Sequence, residues 1–201
     1  MGTTRTWKRL LPALAAVGTM SCASGPAPRD HYYRLEAATP SALASPKLAG
    51  TLEVERPRAE TISQGRRMLY RDASGSGEIK QYAYHLWVDP PSLMLRDQLV
   101  AYLRAAGAAE NVVTPAVGVE ADYVVSGRLV QLESILGGGD PRVAVEIELA
   151  LTRQKGHELL LLKTYREERA ASGSSVPEAV AAYGQAITAI FERFVADIPS
   201  A

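Results

Sequence analysis

Cys22 is the only thiol among 201 residues, so no disulfide can use it. It stands just behind a short apolar run led by basic residues, a placement that fits a lipid anchor. The other residues with chemical potential are scattered. His31, His85 and His157 lack metal-ligand spacing from one another; His157 falls in a turn signal and reads as solvated, and His85 reads as a packing or surface residue of a strand. Glu146 and Glu148 share one face of a strand, which suits a solvated face better than a carboxylate pair poised for acid/base work. Gly137 to Gly139 could cradle an anion, but no helix start follows to supply a dipole, and a hairpin tip is the better account. Arg66, Arg67 and Arg71 form the densest basic spot. They could meet acidic partners or lipid head groups, yet edge strands carry positive charge to block aggregation, and that second reading is favoured. The sequence contains no phosphate-binding G-x-x-x-x-G-K-[ST] loop, no H-E-x-x-H, no C-x-x-C and no G-x-S-x-G. It therefore calls for no catalytic residue, no metal and no cofactor.

The elements that would position Cys22 divide the chain into three parts. Arg5, Lys8 and Arg9 precede the apolar run Leu10 to Met20, so residues 1–21 read as a secretory signal. A spanning helix needs roughly 20 apolar residues, and this run is too short. Thr19-Met20-Ser21-Cys22 resembles the lipobox of bacterial lipoproteins, in which the cysteine is diacylated and becomes the mature amino terminus; ordinary signal-peptide cleavage nearby is the alternative. Residues 22–30 form a polar tether that spans at most about 28 Å from Ala23 to Asp30. Ala23, where an Asp would signal inner-membrane retention, implies delivery to the outer membrane. Residues 31–201 read as a single domain. Removing residues 1–21 takes three of the 22 basic residues and none of the 22 acidic ones, leaving a net charge near −3. Nucleic acid is not an expected partner, because neither a basic excess nor a basic stripe is present.

Within 31–201 strand signals alternate with turn signals. Strands are expected at Tyr32 to Leu35, at Leu52 to Glu55, and on either side of the Gly/Ser turn 72–77, from Arg67 to Arg71 and from Ile79 to Trp87. Asp89-Pro90-Pro91-Ser92 opens a helix whose apolar stripe is Leu95, Leu99, Tyr102, Leu103 and Ala106, with Gly107 as its stop. A short strand at Asn111 to Thr114 precedes a meander of Tyr123 to Glu133, Arg142 to Thr152 and Leu159 to Glu168. In the middle strand Val143, Val145, Ile147, Leu149 and Leu151 face the core, while Ala144, Glu146, Glu148 and Thr152 face water. Ser175 and Glu178 form a capping box for a last helix with the stripe Val180, Tyr183, Ile187, Ile190, Phe191, Phe194 and Ile198. The expected fold is α+β: one antiparallel β-sheet with two amphipathic helices packed on one face.

Tyr32-Tyr33-Arg34-Leu35, then Met68-Leu69-Tyr70-Arg71, then Tyr82-Ala83-Tyr84-His85-Leu86-Trp87-Val88-Asp89-Pro90-Pro91 leading into an amphipathic helix, occur in an order that resembles the ABC-type transport auxiliary lipoprotein family. The resemblance runs from about Tyr32 to Ile198. It implies a non-catalytic, periplasm-facing lipoprotein working with an ABC permease, an ATPase and an MCE-domain protein to move phospholipid or other lipophilic molecules. Tyr70, Tyr82, Tyr84 and Trp87 are the candidate contacts for a partner or lipid, since aromatics are enriched at interface hot spots; several must also fill the core. A homo-oligomer is compatible with this reading. An outer-membrane assembly or envelope-structural lipoprotein, and a periplasmic hydrolase, are the alternatives.

Overall fold

The computed structural model describes residues 1–3 and 28–200. Within them nine strands and two helices follow one another: β1 (His31–Tyr33), β2 (Leu48–Val54), β3 (Arg58–Ala59), β4 (Arg67–Asp72), β5 (Ile79–Trp87), α1 (Pro91–Ala106), β6 (Ala109–Val113), β7 (Tyr123–Leu136), β8 (Arg142–Arg153), β9 (Glu158–Ala170) and α2 (Val176–Asp197). The helix ends follow the expected chemistry. Proline occupies the first turn of α1, and Gly107 closes it in the left-handed region at φ 66°, donating to the carbonyls of Arg104 and Leu103. Ser175 and Glu178 form the reciprocal capping box of α2.

The strands form a single mixed sheet, which corrects the expectation of an antiparallel one. Among the described residues only β4–β5, β7–β8 and β8–β9 run antiparallel. β1 lies parallel to β5, β2 to β6 and to β7, and β3 and β4 to β7. The cause is the length of β7, whose 14 residues outrun any one neighbour. β2 pairs with Tyr123–Val125, β3 with Arg128 and Leu129, and β4 with Ser134–Leu136, so three strands share one edge of β7 end to end. Parallel pairing needs crossovers rather than hairpins. Here α1 carries the chain from β5 to β6, and the long segment between β1 and β2 crosses the helices.

A register shift between Leu129 and Gln131 switches which residues of β7 face the helices, from Tyr123, Val125 and Leu129 to Leu132 and Ser134. The core lies between this face and the stripes of α1 and α2, and every stripe residue named above is buried there except half-buried Val180.

The other face is not uniformly wet, a second correction. Because the sheet curls, Leu69, Ile135 and Ala144 are buried on the side away from α2, and Glu133 is 6% exposed among them. Arg71 Nε donates to Glu133 Oε1 at 3.0 Å, so the buried carboxylate is paired. Elsewhere that face behaves as expected, with Glu146 near Arg166 (4.0 Å) and Glu148 near Arg128 (3.9 Å).

The segment from Arg34 to Pro46 forms a strap over the helices. Ala37 N–H donates to Gln98 of α1 at 2.8 Å, and Ala38 N–H donates to Thr188 of α2 at 2.9 Å. Just beyond it, Lys47 donates to the carbonyls of Ala196 and Ile198 at the end of α2. Thus β1 is joined through one stretch of chain to both helices.

Candidate functional site

The aromatic hairpin expected from sequence is present, but it is irregular in a way that builds the site. Between the pairs Leu69–Gln81 and Arg67–Leu86, β4 advances two residues while β5 advances five. The surplus in β5 bulges, and Arg67 donates to the freed carbonyls of Tyr82 (3.3 Å) and Ala83 (2.8 Å). Tyr82 and His85, three apart, would face opposite ways on a regular strand. Here their rings meet edge to face at 5.5 Å.

Around that contact a wall of rings assembles from three strands. Tyr70 of β4 lies 4.6 Å from Tyr82, centroid to centroid. His31 and Tyr33 of β1 stack on His85 at 5.2 and 5.7 Å, and the Tyr33 hydroxyl lies 3.0 Å from His85 Nδ1. Tyr33, Tyr70, Tyr82 and His85 are half-buried, so each keeps part of a ring available. Burial raises the hydroxyl pKa values of Tyr33 and Tyr82 and, with the neighbouring His31, lowers that of His85. Each shift favours the uncharged form of its ring. Rings of this kind offer apolar faces with polar tips, the chemistry suited to a protein interface or to the head-group level of a bilayer.

The four sequence candidates separate. Tyr70 and Tyr82 belong to the wall, and Tyr84 is 44% exposed on the bulged segment. Trp87 is 2% exposed and packs edge to face on Tyr183 of α2 at 5.6 Å, so its place is the core and not a contact surface. Sequence reasoning missed His31, Tyr33 and His85 as members of one cluster. Their meeting depends on the parallel β1–β5 pairing, which puts His31 beside His85 and Tyr33 beside Trp87.

The arginines also have a different role from the one expected. β4 is an interior strand between β5 and β7, so no edge needs guarding there. Arg66 donates to the Val88 carbonyl and lies over the Tyr32 ring at 5.6 Å, Arg67 holds the bulge, and Arg71 pairs with Glu133. Cys22 lies outside the described residues. Among the described residues no group of three or more His, Cys, Asp or Glu side chains could hold a metal ion, and no helix is long and apolar enough to cross a membrane.

A curled mixed sheet with two helices on one face, entered through a short strand that bears two of the five rings of the cluster, defines a mixed α/β domain. The chain belongs to the family of ABC-type transport auxiliary lipoprotein components, which it matches over residues 33–195. Its fold is similar to the crystal structure of protein XCC0632 from Xanthomonas campestris, of the DUF330 family. The TM-score is 0.73 at 23% identity, covering 82% of this chain and 92% of that one. A second solved structure, of an uncharacterized protein, gives a TM-score of 0.67 at 18% identity, with 85% and 99% covered. The hypothetical protein CT253 from Chlamydia trachomatis gives 0.51 at 6% identity, with 74% and 94% covered. No significant relative is found among curated proteins.

Proposed function

We propose that this chain is a non-catalytic accessory subunit of an ABC/MCE-type transport system, anchored through acylated Cys22 and facing the periplasm from the outer membrane. In this reading residues 1–21 are removed, residues 22–30 are the tether, and the domain from residue 31 docks against the MCE-domain protein or binds passing phospholipid. Acyl chains on Cys22 would hold it firmly, since each buried methylene contributes about 0.8 kcal/mol. The observation that carries the proposal is the position of the ring wall. β1 begins at His31, immediately after the tether, and His31 and Tyr33 are themselves part of the wall. A tether of about 28 Å keeps that wall near the membrane to which Cys22 would be fixed. Membership of an auxiliary transport family supports association with a transport system.

The proposal is tested by isolating the chain from membranes and identifying bound protein and lipid. Recovery of an MCE-domain protein, a permease or phospholipid is expected, and recovery of none of these would sink it. Cys22→Ser tests the anchor separately: the variant should lose its lipid linkage, and a chain that still carried one would refute Cys22 as its site.

A further inference from the structure

The β1 edge of the sheet carries, on the face away from the helices, groups that neither the core nor the ring wall uses. The pairings identify them. Arg71 reaches Glu133 on that outer face, and Arg67, Leu69 and Arg71 alternate along β4, so Arg67 also points outward. Residues paired across neighbouring strands share a face, which adds Leu86 opposite Arg67, Tyr32 opposite Leu86, and Ile79 opposite Arg71. Leu35 is buried in the core, so Arg34 before it turns outward like Tyr32. Tyr32 is 52% exposed and Ile79 41%.

The charges here differ from those on the rest of the outer face. Elsewhere its arginines have carboxylate partners: Arg71 pairs with Glu133, Arg128 with Glu148, Arg142 with Glu168, and Arg166 with Glu146 and Glu168. Among the described residues, Arg34, Arg66 and Arg67 form no ion pair. Arg66 lies over the Tyr32 ring and donates to the Val88 carbonyl, and Arg67 donates to the carbonyls of Tyr82 and Ala83. Such neutral partners leave both charges uncompensated. Asp30, which accepts from the Tyr32 hydroxyl at 3.3 Å, sets one acid against these three bases.

We infer that this face lies against an anionic bilayer surface, with Tyr32 at the head-group boundary and the three guanidinium groups on lipid phosphates. The occupant follows from charge and reach. A cluster left positive on a chain of net negative mature charge calls for an anionic partner, and β1 starts directly after the tether, at most about 28 Å from Cys22. The reach, though not the charge, rests on the proposed anchor. This placement leaves the ring wall, on the opposite face of β1, to a transport partner.

The test is hydroxyl-radical footprinting of the full chain on vesicles. Oxidation of Tyr32 is read by mass spectrometry against Val117, which follows β6 at the far edge of the sheet and is 54% exposed. On phosphatidylethanolamine vesicles containing phosphatidylglycerol, the Tyr32 to Val117 ratio should fall at least about threefold relative to phosphatidylcholine vesicles. Added salt should restore it without any substitution. Arg34→Glu with Arg66→Glu should restore it too, since each arginine near an anionic surface is worth roughly fivefold in partitioning; thermal melting checks that this variant folds. An unchanged ratio on anionic vesicles overturns the inference, as does equal protection on neutral ones or protection indifferent to salt. Protection found only in native membranes, and not on protein-free vesicles, assigns the face to an acidic protein and also overturns it. Flotation of wild type beside Cys22→Ser reports the anchor separately. A chain that floats without protecting Tyr32 keeps the anchor and refutes this inference, whereas a Cys22→Ser chain that floats as wild type does and still protects Tyr32 does the reverse.

Discussion

Gly184→Ala should destabilise this protein even though it replaces glycine by the best helix former within α2. On propensity alone the change gains about 1 kcal/mol. The strap reverses the sign. A Cβ at position 184 would lie 2.6 Å from the Glu36 carbonyl oxygen, a backbone atom that cannot rotate away. Relieving the clash costs about 1 to 3 kcal/mol as in other overpacked sites. Lifting Glu36 also stretches the bonds from Ala37 N–H to Gln98 and from Ala38 N–H to Thr188, each contributing about 0.5 to 1.5 kcal/mol. The net expectation is a loss of about 1 to 5 kcal/mol. Urea unfolding followed by circular dichroism measures it, read against wild type as a shift of midpoint at constant slope. A variant stabilised by about 1 kcal/mol would refute the seating of the strap on α2.

Two further outcomes follow from the site. Trp87→Ala should cost about 3 to 5 kcal/mol because it empties the core against Tyr183, whereas Tyr84→Ala, on an exposed position, should stay within about 0.5 kcal/mol. Thermal unfolding of the pair checks this, and equal losses would contradict the division between core and contact. His85 titrates below the ordinary imidazole range when folded, first because of burial and then because of His31, so the unfolded chain binds the proton more readily. Its contribution is present above the unfolded pKa of about 6.5 and is lost as pH falls through the lower folded value. Melting temperature should therefore drop between about pH 7.5 and 5, and His85→Gln should flatten the slope. An unchanged slope would place the acid sensitivity elsewhere.

Much of the fold could be read from residue patterns, because both helices announce their ends chemically. Pro91 and Gly107 bracket α1, and Ser175 with Glu178 opens α2. The β7–β8–β9 meander was legible from its alternation and its glycine turns. The parallel pairings were not, since nothing local to His31–Tyr33 indicates that it pairs with β5, four strands further along the chain. The same non-local step hid the ring cluster. Tyr82 and His85 carry the wrong spacing for one face until the bulge in β5 rotates them together. Trp87 was ambiguous for a related reason. Its aromatic character fits core and contact equally, and only the position of Tyr183 on a distant helix decides between them.

The central claim is that the exposed side of the ring wall meets a transport partner in the envelope. A photo-crosslinking residue at position 84 tests it most directly, with the same residue at Val117, also exposed at 54%, as the control. The account predicts that position 84 captures an MCE-domain or permease subunit, or phospholipid, in intact membranes, while position 117 does not. Capture of none of these from position 84, or equal capture from both positions, would contradict it.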